Sequence, residues 1–216
     1  ASGLAGVWAE ENTREAIYDA FRRKETFATS GPRIKIRFFA GYDLEKSNLD
    51  DFNLLEDLYA KSIPMGGTLN LEISKNPRFL VWAIADSLGA PLQRIQIIKG
   101  WLEDGEQKEK VFDVACSDGL SVDSETNRCP DNGARVDLKD CSISANSGDM
   151  EIKSFWQDPE FIQGQEAFYY SRVLENPVCR WSTWDAVRAG EKPRSDIPVT
   201  IQERAWSSPI WLNSTL

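Results

Sequence analysis

Two short segments near the start of the chain carry side chains of the types that enzymes use for catalysis. Glu10 and Glu11 precede a predicted helix, where paired carboxylates could bind a metal ion or transfer a proton. The alternative is that these acids only complement the positive end of the helix dipole. Ser30 and Arg33 flank a Gly-Pro turn, and a hydroxyl beside a guanidinium suits a phosphate or sulfate group. The alternative for this pair is a structural turn with a surface arginine. These four residues are the catalytic candidates.

The loop between residues 118 and 140 is a candidate calcium site because it is rich in acidic side chains. Asp118, Asp123 and Asp131 offer the hard oxygen ligands that calcium prefers, although their spacing does not match an EF-hand. The alternative is a solvated loop that disulfides pin to the rest of the chain.

The chain contains no histidine. A Ser-His or Cys-His pair therefore cannot form within it, and no Ser-x-x-Lys or Gly-x-Ser-x-Gly motif replaces such a pair. The sequence thus supplies no recognisable complete active site.

Eight tryptophans suggest a second kind of chemistry, because flat aromatic rings are platforms for sugar rings. These tryptophans are scattered through predicted strands and turns. The alternative is that they pack in the core and at the edges of the sheets.

Four cysteines lie in the C-terminal half, and none forms a Cys-x-x-Cys pair. Zinc would need all four thiolates at irregular spacing, so we expect disulfides and an exported, periplasmic or secreted protein. Buried free thiols are the alternative. Three pairings are open; we prefer Cys129–Cys141 with Cys116–Cys179, since the first would pin the acidic loop and the second would tie two strand ends.

Composition argues against several classes of partner. The formal net charge is −9, and no cluster of lysine or arginine stands apart from neighbouring acids, so we expect no nucleic acid. No apolar stretch approaches the roughly 20 residues of a membrane-spanning helix. A chain of 216 residues is long enough to bury a core.

Periodicity predicts a short helix and then a mostly β chain. Asn12 is the predicted N-cap of a helix over residues 13–23, and a second helix is predicted over 49–62, with one further turn at 184–188. We expect Trp8, Ile17 and Phe21 to anchor the first 31 residues against the sandwich or against a neighbouring copy of the chain. The predicted strands cover residues 25–29, 34–38, 68–73, 79–85, 92–101, 109–116, 150–156 and 166–174. This order predicts a mainly β fold with some α: an antiparallel β-sandwich-like module preceded by a helix–strand unit typical of an α/β barrel or a layered sheet.

Several blocks of the sequence closely resemble a large bacterial family known as domain of unknown function family 3604. Residues 3–14 read GLAGVWAEENTR, residues 22–33 read RRKETFATSGPR, and residues 200–211 read TIQERAWSSPIW. Shorter matching blocks are PMGG at 64–67, QRIQI at 93–97, DVACSDG at 113–119, RCPDN at 128–132, LENP at 174–177 and CRWST at 179–183.

The resemblance implies a protein similar to the polymerase-and-histidinol-phosphatase (PHP) superfamily of metal-dependent phosphoesterases. Such proteins bind a cluster of divalent metal ions through His, Asp and Glu in a distorted α/β barrel, and the resemblance places those ligands upstream of this chain. It also implies that residues 1–31 close the barrel and that residues 32–216 form a C-terminal β-rich sandwich module.

We therefore expect the C-terminal portion of an exported metal-dependent hydrolase, phosphoesterase-like and not catalytic by itself. The opening without methionine favours a fragment. The expected partners are the missing N-terminal barrel and a small phosphorylated or sulfated substrate, with a homo-oligomer as a further option. The alternative function is a noncatalytic β-sandwich that binds calcium, carbohydrate or protein, or serves a structural role.

Overall fold

The computed structural model describes residues 3–45, 49 and 51–214, which form a mainly β fold with three helices. The helices are α1 (Arg14–Arg23), α2 (Leu54–Lys61) and α3 (Trp181–Ala189). The strands are β1 (Leu4–Val7), β2 (Thr26–Thr29), β3 (Lys35–Gly41), β4 (Ile63–Pro64), β5 (Thr68–Asn70), β6 (Arg78–Ile84), β7 (Leu92–Glu103), β8 (Glu106–Cys116), β9 (Val136–Asp137), β10 (Ser142–Ile143), β11 (Glu151–Gln157), β12 (Ala167–Glu175), β13 (Val178–Cys179), β14 (Thr200–Ile201), β15 (Arg204–Ser207) and β16 (Ile210–Asn213).

Two sheets pack face to face, which confirms the predicted sandwich. The larger sheet has eight strands with β12 at its centre: β7 and then β8 lie on one side, and β15 and β16 share the other. The smaller sheet has the order β11-β6-β3-β4. Pairing is antiparallel except for β5, which runs parallel to β16. The described strands do not close into a barrel.

Alternation along the strands sorts the side chains between the core and the outer faces, as a period of two requires. Ile95 and Ile97 of β7 and Tyr169 of β12 point inward and pack against Phe38 and Phe79 of the smaller sheet. The aromatic rings of Phe79 and Tyr169 are 4.5 Å apart between centroids. The opposite side of the smaller sheet is covered by α2, whose buried Leu54 and Leu58 form a second apolar cluster.

Residues 3–31 join the larger sheet at one edge. β1 pairs with β2, and β2 pairs with β15. Trp8 anchors this edge, because its Nε1 donates to the carbonyl oxygen of Ile36 at 2.8 Å. Phe21 is 52% exposed, so it does not anchor the segment against the sandwich. Its anchoring against a neighbouring copy of the chain stays a prediction. The interpretation of these residues as the closing unit of a barrel stays a prediction.

The helices begin at residues that differ from those predicted from the sequence. The N-cap of α1 is Thr13 rather than Asn12, and its hydroxyl accepts from the backbone N–H of Ala16. α2 begins at Leu54, later than predicted. The single predicted turn at 184–188 is a nine-residue helix, α3, which ends at Gly190 in the left-handed conformation that favours glycine.

All four cysteines form disulfides, but the preferred pairing is wrong. Cys116 bonds to Cys129, and Cys141 bonds to Cys179. The loop after β8 folds back over its own strand, since Asp113 accepts from the backbone N–H of Cys129 at 2.8 Å. Two disulfides are typical of proteins that mature in an oxidising environment. No described helix is long and apolar enough to cross a membrane.

Candidate functional site

The catalytic candidates Glu10 and Glu11 are exposed and precede α1. Glu10 lies at a cleft of about 430 Å³ that is built around Trp8 and Arg37. The Arg37 guanidinium stacks 3.5 Å from the centroid of the Trp8 ring, so it covers a face that a sugar would need. It also donates to the hydroxyl of Tyr59. The Arg37 side chain in this cleft is therefore already occupied by contacts within the protein, with Trp8 and Tyr59.

Tyr59 continues that internal network toward a buried carboxylate. Its hydroxyl donates to Glu25, which is 4% exposed. Burial and the Glu25 carboxylate together raise the pKa of Tyr59 to about 12, so the hydroxyl stays protonated. Arg23 lies 3.5 Å from the same carboxylate. These contacts link α1 and α2 to the smaller sheet.

The candidates Ser30 and Arg33 face carboxylates, which disfavours an oxyanion between them. The Ser30 hydroxyl donates to Glu203 and accepts from the backbone N–H of Arg204. The backbone N–H of Arg33 donates to Oδ2 of Asp86 at 2.7 Å, which lowers the pKa of that carboxyl. Ser30 and Arg33 therefore do not form a ready-made anion site. The structure also does not bring them together with Glu10 or Glu11.

A buried carboxyl, Glu175, lies near this turn. It is 1% exposed, and its Oε1 has no hydrogen-bond partner among the described residues. Burial, and to a smaller extent the charges of Asp86 and Glu203, raise its pKa to about 7. The sequence analysis did not single out Glu175, because nothing in its position at the end of a strand signals burial.

The calcium candidates are each satisfied in a separate turn. Asp118 accepts from the backbone N–H of Gly148, Asp123 caps its own turn through Thr126, and Asp131 pairs with Arg135 at 2.6 Å. Among the described residues, no group of three or more acidic or cysteine side chains converges as an ion would require. The structure does not bring Asp118, Asp123 and Asp131 together.

Three arginines converge on the outer face of the larger sheet, which is the face turned away from the smaller sheet. Leu174 of β12 is flanked by Arg94 of β7 and Arg204 of β15. Arg172 lies two residues earlier on the same face of β12, diagonal to both. Diagonal neighbours of this kind are roughly 7–8 Å apart and within reach of long side chains.

A chain of hydrogen bonds orients Arg172. Its Nε donates to Oε1 of Gln96 at 2.7 Å, and Nε2 of Gln96 donates to Asp113 at 2.6 Å. The described residues offer no hydrogen bond to the two terminal nitrogens of Arg172. Gln96 and Asp113 are each 4% exposed, so the support beneath the guanidinium is fixed while its outer edge is not used.

Asp113 and Glu109 are the carboxylates that act on these guanidiniums. Burial lowers the pKa of Arg172 from its ordinary value, and the charges of Arg204 and Arg94 lower it further, whereas Tyr170 and Glu109 oppose that effect. Nε of Arg94 is buried without a hydrogen bond, with Asp113 at 3.8 Å. Nη1 of Arg94 donates to Oε1 of Gln93, and Nε of Arg204 donates to the carbonyl oxygen of Gln202. The terminal nitrogens of Arg172, which have no hydrogen bond from the described residues, match the geometry of sulfate and phosphate.

An aromatic cleft of about 570 Å³ lies further along the same outer face. The Phe168 ring lies across Gly100, where an added Cβ would be 2.3 Å from the ring. Trp211 packs 5.1 Å from Phe168 between ring centroids and is 45% exposed. Polar side chains at the cleft include Gln107, Lys108, Glu109, Glu166 and Asn213.

Sequence reasoning missed both features of this face. Arg94, Arg172 and Arg204 each have no other basic residue within four positions in the sequence, so no basic cluster was visible. The strands that carry these arginines are β7, β12 and β15. Apolar and polar residues alternate regularly in β7 and β12, and both strands were predicted, but β15 was not. Only the pairing of β15 with β12 brings Arg204 to the others.

Comparison with known proteins identifies one family. The family described as "Protein of unknown function (DUF3604)" matches residues 1–214. No curated protein and no solved structure matches the chain.

Proposed function

Since this chain belongs to the family of proteins of unknown function DUF3604, we propose that it is the anion-binding, noncatalytic portion of a metal-dependent, phosphoesterase-like hydrolase. The three arginines on the outer face of the larger sheet would hold the sulfate or phosphate group of a small substrate. The chain itself would not carry out the hydrolysis. A barrel in a separate segment would supply the metal-dependent chemistry.

The convergence of Arg94, Arg172 and Arg204 is the observation that carries this proposal. A net charge of −9 disfavours anions over most of the surface, so a local group of guanidiniums is a selective feature. The support of Arg172 by Gln96 fixes its orientation before a ligand arrives. Preorganised charged donors lose less entropy on binding than mobile ones.

The residues of this chain do not fit the metal cluster of PHP enzymes. The sequence has no histidine. The described part of the chain holds no group of three acidic or cysteine side chains at a common point. We therefore assign no metal-dependent step to these residues. The two disulfides support export to the periplasm or the medium.

Anion binding by the purified chain tests the proposal. Isothermal titration calorimetry with sodium sulfate and sodium phosphate, at fixed ionic strength, should show binding to the wild-type chain. Arg204→Ala should weaken that binding about tenfold, because a charge-assisted contact is lost. The matched control is Arg194→Ala, since Arg194 is an exposed arginine paired with Asp196 elsewhere. Equal binding by the Arg204 and Arg194 variants would refute the anion site.

Catalysis is tested separately. The purified chain, with added zinc, manganese or magnesium, should not hydrolyse an aryl phosphate above the rate of the metal alone. Metal-dependent turnover clearly above that background would show that the chain is catalytic and would contradict the proposal.

A further inference from the structure

The aromatic cleft and the arginines lie along one strand. Phe168, Tyr170 and Arg172 are successive outward-facing residues of β12. The rings of Phe168 and Tyr170 stack with centroids 6.5 Å apart and planes 15° apart. Trp211 extends this row on the neighbouring strand β16. A continuous aromatic surface therefore leads from the cleft to Arg172.

The length of this surface exceeds that of a simple inorganic anion. Phe168 and Arg172 are four residues apart, which corresponds to roughly 13 Å along a strand. A ligand that reaches from one end to the other must be extended. It must present apolar faces to Trp211, Phe168 and Tyr170 and an oxyanion to Arg172.

The polar groups at the cleft restrict the chemistry of the ligand further. The cleft also contains Lys108, but this lysine is already paired with Glu106 at 2.6 Å. Glu109 and Glu166 therefore disfavour an anion at the aromatic end, whereas their carboxylates accept hydrogen bonds from hydroxyl groups. Asn213 and Gln107 can both donate and accept. Flat C–H faces with hydroxyls around the edge are the properties of a pyranose ring. A cleft with aromatic walls and a few polar groups is typical of small-ligand sites.

We propose that the outer face of the larger sheet binds an oligosaccharide that carries sulfate or phosphate esters. Its sugar rings would lie on Trp211, Phe168 and Tyr170, and one ester group would meet Arg172 and its two arginine neighbours. This inference rests on the proposed function, because it takes the arginines as the anion site and names the class of substrate held there.

Three forms of one oligosaccharide test the inference: cellohexaose, sulfated cellohexaose and phosphorylated cellohexaose. The wild-type chain should bind at least one esterified form more tightly than the unmodified sugar at fixed ionic strength. The two esterified forms show which oxyanion is preferred. Calorimetry gives the affinities, and quenching of tryptophan fluorescence gives an independent readout.

Two groups of variants separate the two ends of the site. Trp211→Ala should weaken binding of esterified and unmodified cellohexaose by about threefold to tenfold, and should leave inorganic sulfate binding unchanged. Phe168→Leu is a second variant that keeps an apolar side chain over Gly100.

Arg204→Ala should weaken only the esterified forms and inorganic sulfate. Trp181→Ala is the matched control, because Trp181 is a 67% exposed tryptophan on α3. Circular dichroism confirms that each variant is folded.

Each contrary outcome has a definite meaning. If Trp211→Ala and Phe168→Leu bind sulfated and phosphorylated cellohexaose as tightly as the wild type, the glycan inference fails while an anion site remains. If neither esterified form binds more tightly than cellohexaose, the inference also fails. If inorganic sulfate and phosphate do not bind through Arg204, the proposed function fails at its own test.

Discussion

At the scale of single residues, the most unusual group is the Glu175 carboxyl, which lies at the end of β12. Its Oε1 has no hydrogen bond among the described residues, and an added Cβ on Gly89 would lie 2.8 Å from it. Burial disfavours the charged form of a carboxyl, and its pKa of about 7 is therefore well above the ordinary 4.5. The chain must accommodate either a buried proton or a buried charge near neutral pH.

We predict that Glu175→Gln increases stability at alkaline pH. A carboxyl whose pKa is raised in the folded state stabilises the fold below the pKa of the unfolded chain, near 4.5. That contribution is lost as the pH rises through about 7. Above pH 7 the variant should exceed the wild type by on the order of 2 kcal/mol in the free energy of unfolding. Near pH 4.5 the difference should be small.

Urea unfolding between pH 4.5 and 8.5 provides the measurement. The control is Glu191→Gln, an exposed glutamate in the loop after α3, which should show no such pH dependence. A constant difference between Glu175→Gln and the wild type across this range would rule out a raised pKa for Glu175.

At the scale of elements, the pairing of β7 with β12 depends on a small residue opposite a large one. Gly100 and Phe168 are register partners on the outer face. The missing side chain of Gly100 lets the Phe168 ring lie flat on the sheet. Gly6 and Phe27 repeat the arrangement between β1 and β2. Each glycine therefore positions the aromatic ring across from it.

We predict that Gly100→Ala destabilises the fold by roughly 1–3 kcal/mol, because the new methyl group displaces the Phe168 ring. In a Phe168→Ala background the same substitution should cost less than about 0.5 kcal/mol, since the clash is gone. Thermal and urea unfolding of the four proteins in this double-mutant cycle measure the coupling. Equal costs of Gly100→Ala in both backgrounds would show that the ring is not the cause.

At the scale of the whole molecule, the two disulfides fasten the segments that have the fewest core contacts. Cys116–Cys129 closes the loop after β8 across a sequence separation of 13 residues. Cys141–Cys179 joins the region of β10 to β13 across a separation of 38 residues. β9 and β10 form only a two-stranded sheet, so the long segment between β8 and β11 depends on these links.

We predict that the double variant Cys141→Ala, Cys179→Ala lowers the free energy of unfolding by roughly 2–4 kcal/mol, because an open chain gains more entropy on unfolding. Removing Cys116–Cys129 should have a smaller entropic effect, since that loop is shorter. Peptide mapping without reduction should recover the Cys116–Cys129 and Cys141–Cys179 peptides. A peptide joining Cys129 to Cys141 would contradict this topology.

The sequence by itself determined the class of fold and most of its long elements. Alternating apolar residues in β6, β7, β8, β11 and β12 directly reflect the burial of one face of a strand, so the period of two was sufficient to predict them. The apolar spacing of α1 is likewise local, although its N-cap is Thr13, one residue later than predicted. The absence of histidine and the family resemblance also required only the sequence.

The tertiary structure decided which distant residues meet. The four-residue strands β15 and β16 carry too few alternations to be predicted, yet they bring Arg204 and Trp211 to β12. The path of the loop after β8 decided the disulfide pairing, because the positions of the four cysteines relative to the predicted strands allow three pairings. Burial raises the pKa of Glu175. These properties depend on which surfaces pack together, and local sequence patterns do not encode that packing.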